Sequence, residues 1–513
     1  MDQVTRILRT SLNLSAPTGG TLGLVRNTGW NLVGQIAPLV VAVFTIPGLL
    51  RNLGAERFGI LAIAWTVFAY FGLFDFGLGR ALTQSAAERM GTDKSSEIVP
   101  LMWTALTLMS AFGIVGGIVA AIGSPYTMFH VFQVPPALRS ESVLACRIFS
   151  LSLPFVVATT GLSGILGAVQ RFDVLNQLRV PQGVFTYLAP WLVSVFSPKL
   201  PLVMAVLLFG RVLFCVLHFA FCFRVIPELT KGFAIERRFV KSLLHFGGWV
   251  TVSNIVGPVM TYFDRFFIGA WVSVAAVAYY ATPHEAVNRV FIIPAAITSA
   301  LFPAVSGASR GKSQESMRLF ARAIDLTAAV LFPIVAVTVL FANEGLTLWL
   351  GSDFAAHSFR ILQFLAIGVL INGLAQSSFT LVQGTGRADL TAKFQLLELP
   401  IYVVSLRYLI IWAGLEGAAI AWALRVFLDM LLLFAATAYL IRDQHGLIWG
   451  KFLEALGLIL LSIGCLVNIP AYWRLSLLGV LVLVYFGYCW RIVLRGMCLA
   501  ELMPFMRMLW SRQ

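Results

Sequence analysis

The chain has 513 residues, of which 59% are hydrophobic and only 12% are charged, and its mean hydropathy is +0.87. A soluble domain would be about 25% charged, so this composition excludes a soluble globular protein and predicts an all-α integral membrane protein. The formal net charge of +14 comes mainly from Lys and Arg in short loops, where these residues set membrane orientation, and it does not indicate nucleic-acid binding.

Apolar stretches of membrane-spanning length recur along the chain and predict about fourteen transmembrane helices. The first six predicted spans are 28–50, 58–79, 99–122, 145–169, 177–197 and 201–224. The next six are 246–269, 273–302, 321–342, 359–382, 392–413 and 416–440. Two more follow at 452–470 and 475–494.

The distribution of basic residues between the loops predicts the orientation of these spans. The loops on the side of the two termini carry 25 Lys and Arg residues, and the opposite loops carry seven. Because basic loops stay on the cytoplasmic side, both termini are predicted to be cytoplasmic. The opposite loops are too short to hold an external catalytic domain.

Matching segments at a steady offset predict an internal duplication. RIFSLSLPFVVATTGLSGILGAVQ (147–170) matches RILQFLAIGVLINGLAQSSFTLVQ (360–383), and RVLF (211–214) matches RVFL (425–428). An even number of helices per copy gives two like-oriented six-helix lobes with a cavity between them. The predicted organisation is a cytoplasmic segment 1–25, an N-lobe 26–225, a cytoplasmic linker 226–245, a C-lobe 246–441, two further helices within 442–495 and a cytoplasmic tail 496–513.

Polar residues inside the apolar spans are the candidate functional residues, because a charge near the bilayer centre costs about 2.5–3.5 kcal/mol. Asp264 and Arg265 are adjacent, so their side chains point in different directions and need partners elsewhere. Phe44 and Thr45 occupy the equivalent positions of the first copy, so this pair belongs to one lobe only. The other candidates are Asn31, Gln35, Asp75, Asn254, Glu285 and Arg289.

Structural alternatives stay open for several of these residues. Glu285 and Arg289 are four residues apart and could neutralise each other on one helix face, as could Arg425 and Asp429. Arg265 could instead form an interhelical bridge, with Asp75 as a possible partner.

No pattern in the sequence indicates a metal site, a cofactor or an enzyme. GASRGKS (307–313) has three residues between its glycines, whereas a phosphate-binding loop needs four. The six cysteines form no CxxC pair, and the histidines form no HxxxH or HExxH. The sequence therefore shows no nucleotide-binding motif.

Two segments carry a resemblance to a known family. NLGAERFGILAIAWTVFAYFGLFDFGLGRALTQ (52–84) contains LGxxxFG and a later DxG, and YFDRFFIGAWVSVAAVAYYATPHEAVNRVFIIPAAITSALFPAVSG (262–307) contains FDR and LFPxxS. Together with the duplication and two extra helices, they resemble polysaccharide flippases of the multidrug/oligosaccharidyl-lipid/polysaccharide exporter superfamily. The first predicted span departs from the family, since it shows Asn and Gln where a run of Arg is expected.

This resemblance implies transport of lipid-linked oligosaccharide on an undecaprenyl pyrophosphate carrier across the bacterial inner membrane, for O-antigen, capsule or exopolysaccharide assembly. The implied headgroup ligands are Arg265, Arg289, Asn31, Gln35 and Asn254, since Arg binds pyrophosphate in a bidentate manner. The implied positions for a coupling H⁺ or Na⁺, or for interhelical pairing, are Asp75, Asp264 and Glu285. The expected partners are the lipid-linked oligosaccharide, membrane lipids, and a polysaccharide polymerase and glycosyltransferases of the same pathway.

Three other functions are compatible with a polytopic chain. A drug/cation antiporter of the same superfamily would need a net-negative cavity, whereas these spans carry several Arg residues. A membrane glycosyltransferase or polymerase would need an acidic site at the outer face, which the sequence does not show. A scaffold subunit of an assembly complex would need no transport site.

Overall fold

The computed structural model describes residues 21–73, 97–169, 171–230, 234–240, 260, 262–298, 313–466, 474, 476, 479 and 485–487. In these ranges the regular secondary structure is helical throughout, as the composition predicts. The earlier helices are α1 (Thr21–Leu73), α2 (Ile98–Tyr126), α3 (Arg139–Ser150), α4 (Leu153–Ala168), α5 (Phe172–Phe196), α6 (Leu200–Val225) and α7 (Asp264–Trp271). The later helices are α8 (Val274–Asn288), α9 (Ser313–Leu340), α10 (Ala342–Leu350), α11 (Ser352–Gly384), α12 (Ala388–Leu440) and α13 (His445–Gly464).

Eight helical segments of the described ranges are long and apolar enough to cross a membrane. They are Ala37–Phe68, Ile98–Val131, Pro136–Gly167, Leu200–Val225, Met317–Leu340, Ser352–Gly384, Asp389–Leu440 and His445–Gly464. The chain is thus a multi-pass helical membrane protein. The figure of fourteen spans stays a prediction, since spans 246–269 and 475–494 fall largely outside the described residues.

Two of the helices are too long for one crossing, and each bends at a glycine. α1 and α12 have 53 residues each, so either would measure about 80 Å if straight, against a hydrocarbon core of about 30 Å. The bends lie at Gly54, with φ 75°, and at Gly414, with φ 58°. Only glycine adopts these angles without strain, and both bends fall between predicted spans.

The described contacts group the chain into two compact units, one ending at Ala278 and the other beginning at Tyr279. In the first unit, a core of buried Leu, Met, Val and Ile side chains lies between α2, α4, α5 and α6. α7 belongs to this first unit, although the duplication assigns it to the second copy. The domain boundaries derived from the duplication stay a prediction.

In the second unit, α11 is the central helix, and it packs against α9, α10, α12 and α13. Its span is 72% buried, more than any other candidate span of the described chain. This burial explains why the segment is apolar around its whole circumference. α13 is tied to α9 by a buried ion pair, in which the Lys451 Nζ lies 2.5 Å from the Asp325 Oδ1.

Two loop contacts repeat the same geometry in the two copies. The Arg171 Nε and Nη2 donate to the two carboxylate oxygens of Asp173, each at 2.9 Å. The Arg387 Nε and Nη2 donate to Asp389 in the same way, at 2.9 and 3.3 Å. In both segments the backbone N–H of the arginine also donates to a carbonyl at the end of the preceding helix. Arg171 donates to Leu166, and Arg387 donates to Val382. The two arginines are separated by 216 residues, which lies within the offsets found in the sequence, and the duplication itself stays a prediction.

Two local features differ from the predicted spans. The span 145–169 is divided between α3 and α4, with a break at Leu151 and Ser152. α10 forms between the predicted spans 321–342 and 359–382, where no helix was expected, and it ends at Gly351 with φ 93°. Its nine residues are too few for a membrane crossing, which is why a search for long apolar runs passes over it.

Candidate functional site

Asp264 and Arg265 form the first turn of α7, and both are buried, at 0% and 2% exposure. The Asp264 Oδ1 accepts a hydrogen bond of 2.8 Å from the backbone N–H of Arg265. A carboxylate at this position satisfies a donor that the helix leaves open and is favoured by the helix dipole. Asp264 therefore has a local role at the start of α7.

The Arg265 side chain reaches α1 of the first unit. Its Nη1 donates a hydrogen bond of 2.8 Å to the Thr66 Oγ1, across 199 residues of sequence. Thr66 is 1% exposed, and its hydroxyl in turn donates to the carbonyl of Ala62. The guanidinium also lies over the Tyr262 ring, 5.3 Å from its centroid. The interhelical alternative is thus seen in part: Arg265 links α7 to α1, and Thr66 is one of its partners.

Backbone hydrogen bonds hold the other end of α7. The Gln133 N–H donates to the carbonyl of Gly269 at 2.9 Å, and the Gln133 carbonyl accepts from Val274 at 3.5 Å. The Gln133 side chain adds a contact of 3.3 Å to the carbonyl of Ala270. Close to this point, a Cβ on Gly59 would meet the Val274 carbonyl at 1.7 Å, so only glycine fits there.

Glu285 and Arg289 lie near the end of α8, and they form the ion pair that their spacing allows. The Arg289 Nη2 is 3.6 Å from the Glu285 Oε2, and the side chains are 42% and 38% exposed. A pair this exposed contributes little to stability. Arg289 belongs to the second unit and Arg265 to the first.

The remaining predicted site residues lie partly in α1 and partly outside the described residues. Asp75 and Asn254 lie outside the described residues. The backbone at Asn31 and Gln35 is helical, as part of α1. The segment 307–313, whose spacing does not match a phosphate-binding loop, also lies almost wholly outside the described residues.

A charged cluster in α12 was not predicted from the sequence. Glu398 is 1% exposed, and the Arg425 Nη1 lies 3.9 Å from its Oε2. Asp429, which was expected to pair with Arg425 alone, lies within hydrogen-bonding reach of the Glu398 carboxyl. The signal for Glu398 was present, because it is a lone carboxylate in the apolar run FQLLELPIYVV (394–404).

With this geometry described, comparisons with known proteins decide the family. The family described as "Polysaccharide biosynthesis protein" matches residues 24–309, which is more than half of the chain. The chain belongs to this family. The resemblance drawn from the FDR and LGxxxFG segments is confirmed, and the chain is a membrane transporter of polysaccharide biosynthesis.

Named relatives agree with this assignment. A Shigella flexneri protein, described as a candidate O-antigen transporter, is 31% identical over 413 residues, covering 80% of this chain and 97% of that protein. The succinoglycan biosynthesis transport protein ExoT of Rhizobium meliloti is 25% identical over 393 residues, covering 72% of this chain and 71% of its own.

Solved structures show the fold. The lipid II flippase MurJ, in an inward closed conformation, matches with a TM-score of 0.66 at 13% identity, covering 89% of this chain and 98% of that one. An inward-facing multidrug resistance MATE transporter matches with a TM-score of 0.64 at 14% identity, covering 81% and 99%. At these identities the likeness concerns the fold alone.

Proposed function

We propose that this chain translocates undecaprenyl-pyrophosphate-linked oligosaccharide from the cytoplasmic to the periplasmic leaflet of the bacterial inner membrane. The product would serve O-antigen, capsule or exopolysaccharide assembly. Alternating access driven by an ion gradient would power the step. Family membership, the name of the Shigella flexneri relative and the MurJ-like fold support this proposal.

The observation that carries the proposal is the buried guanidinium of Arg265. Arginine keeps its charge at membrane depth, and its fork of N–H donors matches two phosphate oxygens. The hydroxyl of Thr66 is a neutral acceptor, so a phosphate oxygen would be the stronger partner for the same N–H group. Arg265 would exchange Thr66 for the pyrophosphate when the carrier lipid enters.

The remaining predicted residues take supporting roles in this proposal. Arg289 is exposed enough to reach a headgroup without losing its pair with Glu285. Asn31, Gln35 and Asn254 would donate to phosphate or sugar oxygens. Asp75, Asp264 and Glu285 stay candidates for ion coupling or pairing. Both termini would be cytoplasmic, and a polymerase and glycosyltransferases would act before and after the chain.

The headgroup role is tested by replacing Arg265 in a strain whose surface polysaccharide depends on this chain. Arg265→Ala should lower surface polysaccharide by about tenfold or more, because hydrogen bonds to a charged group are worth about 1.5–3 kcal/mol. Arg265→Lys should recover part of the loss, since it keeps the charge and loses the bidentate geometry. Polysaccharide is measured by immunoblot, at matched protein levels in the membrane.

Thr66→Val separates substrate binding from helix bridging. The substitution removes the hydrogen bond to Arg265 and leaves the guanidinium in place, so we expect a smaller loss than with Arg265→Ala. Arg238→Ala, at an arginine side chain that is 58% exposed, is the control for loss of a surface charge. Full activity of Arg265→Ala, or equal losses with Thr66→Val, would contradict the headgroup role.

A drug/cation antiporter is the alternative that the fold also accommodates, because the MATE transporter matches nearly as well as MurJ does. The two functions differ in the substrate that is transported. An antiporter would export cationic dyes from cells and would leave surface polysaccharide unchanged on deletion. The names of the relatives, as transporters, favour transport over a glycosyltransferase or polymerase.

A further inference from the structure

The carboxylates of Glu398 and Asp429 meet at the same depth of the membrane. Glu398 lies 16 residues before the bend at Gly414, and Asp429 lies 15 residues after it. At about 1.5 Å per residue, each is about 23 Å from the bend. Each is also about 15 Å from its own end of α12, near the middle of a hydrocarbon core of about 30 Å.

Glu398 is fully buried, and as an anion it lacks the donors that a buried carboxylate needs. Neither of its carboxylate oxygens has a hydrogen-bond partner among the described residues. The Arg425 Nη1 at 3.9 Å is too far for a hydrogen bond. By contrast, Asp264 accepts from a backbone N–H and Glu285 pairs with Arg289. An unsatisfied buried carboxylate is costly, so Glu398 calls for a cationic ligand or a proton.

The contact between Glu398 and Asp429 favours a proton as the ligand. Two carboxyl groups within hydrogen-bonding reach of each other favour binding one shared proton, because two negative charges in a buried site repel each other. With Arg425 beside them, the cluster carries one negative charge when both acids are ionised and none when one proton is bound. The shared proton also supplies the missing hydrogen bond.

The neighbours of the Glu398 and Asp429 carboxyls are a small set of charged and aromatic groups among the described residues. Among the residues that the structure describes, Glu398 interacts electrostatically with Asp429 and Arg425, and Asp429 interacts electrostatically with Glu398 and Arg425. The ring of Tyr402 lies under the Arg425 guanidinium, at 5.9 Å. The ring of His284 in α8 contacts the ring of Trp422, one turn before Arg425, with the ring centroids 5.4 Å apart.

We propose that Glu398 and Asp429, with Arg425 as counter-charge, form a membrane-embedded site for one exchangeable proton that drives transport. This proposal rests on the proposed flippase function and names its coupling ion and site. One proton is bound between the two carboxyls in the neutral cluster. Its release leaves the cluster with a net charge of −1, because the positive charge of Arg425, 3.9 Å from Glu398, balances only one of the two carboxylates. Proton binding and release would thus change the charge of α12 at mid-depth.

The proton itself can be measured without any transport assay. The purified full-length chain in lipid nanodiscs should show the infrared C=O stretch of a protonated carboxylic acid at neutral pH. Glu398→Gln and Asp429→Asn should each remove this band, while Asp353→Asn, at an exposed position, should keep it. Both amides resemble a protonated carboxyl in shape and charge, and either variant alone suffices for the test.

Coupling is measured with the same protein in proteoliposomes. The substrate is lipid-linked oligosaccharide extracted from a strain lacking its own flippase, and its leaflet distribution is read with an impermeant glycosidase. A gradient of one pH unit can shift the leaflet ratio by at most about tenfold if one proton is coupled. Glu398→Gln should abolish this gradient-driven shift. The variant should still equilibrate the lipid between the two leaflets.

Three outcomes would overturn the proposal. The band could survive in both variants, or the variants could keep the full gradient-driven shift. A sodium gradient could drive the wild-type chain at zero pH difference, with loss in Glu398→Gln, and the ion would then be Na⁺. If the wild-type chain moves no lipid at all while the band behaves as expected, the flippase function fails and the proton site stands.

Discussion

Lys451 forms buried ion pairs just beyond the end of the predicted duplication. Its side chain is 6% exposed, and its Nζ contacts the Asp325 Oδ1 at 2.5 Å and the Glu454 Oε2 at 2.7 Å. Lys451 and Glu454 lie on α13, outside the duplicated region, and Asp325 lies on α9 inside it. A buried ammonium needs such carboxylate partners, since burying an unpaired charge costs several kcal/mol. The pair therefore fixes the position of α13 against the second copy.

We expect Lys451→Met to lower the free energy of unfolding by about 3–5 kcal/mol, because the buried carboxylate of Asp325 loses the ammonium group that it contacts. Lys393→Met is the matched control: its Nζ contacts Asp389 at 3.1 Å, but its side chain is 68% exposed. A pair that exposed contributes at most about 1 kcal/mol. Thermal unfolding in detergent, followed by tryptophan fluorescence, measures both variants.

The double variant Asp325→Asn with Lys451→Met completes this test. It removes both charges, so it should recover part of the stability lost in Lys451→Met alone. Equal melting temperatures for Lys451→Met and Lys393→Met would show that the buried pair does not hold α13 in place.

At the scale of elements, the bends of α1 and α12 convert two long apolar segments into pairs of crossings. Gly414 has φ 58° and ψ −136°, and Gly54 has φ 75° and ψ 164°. A side chain at these angles strains the backbone. The bend at Gly414 also sets the register by which Glu398 meets Asp429, since it lies midway between them.

We expect Gly414→Ala to destabilise the protein by about 1–3 kcal/mol, through backbone strain at the bend. Gly457→Ala is the control, because Gly457 lies inside α13 and an added Cβ there would meet open space. Alanine at this position should stabilise the helix by up to about 1 kcal/mol. Opposite shifts in the unfolding temperature would support this account, and a stabilised Gly414→Ala would contradict it.

At the scale of the whole molecule, α7 connects the two copies of the duplication. By sequence it opens the second copy, yet its contacts with Thr66 and Gln133 lie in the first unit. The alternating access that we propose requires contacts on each side of the membrane to open and close in turn. The contact between Gln133 and the residues 269–274 lies on the predicted outer side, where such an opening would expose the site.

A disulfide across this contact should stop transport. In a background without the native cysteines, Gln133→Cys with Ala270→Cys should lose polysaccharide export on oxidation and regain it on reduction. The control pair is Asn52→Cys with Ser194→Cys, since the Asn52 Nδ2 donates to the Ser194 Oγ at 3.0 Å within the first copy. Cross-linking of the control pair should leave export unchanged, and export by an oxidised Gln133–Ala270 pair would contradict an opening at this contact.

Much of the fold follows from the sequence, for a simple physical reason. Lipid cannot satisfy backbone polar groups, so apolar runs of sufficient length must be helical, and a charge within them is visible by contrast. The sequence thus predicted the helical class, the family and the gaps between spans in which both bends lie, and it singled out Asp264 and Arg265 as candidates. The Arg–Asp contacts at Asp173 and Asp389 share one local geometry, and the duplication that the sequence predicts stays a prediction.

Which polar groups meet depends on how distant segments pack, and the sequence pattern does not show it. Thr66 is 199 residues from Arg265 in the sequence. A single hydroxyl in an apolar run does not show which distant residue it will contact. Glu398 reaches Asp429 because α12 folds back at Gly414, and helix periodicity carries no information on contacts across a bend. Side-chain pairing depends on packing between distant segments, and a pattern of apolar residues determines which segments are buried without determining which of them touch.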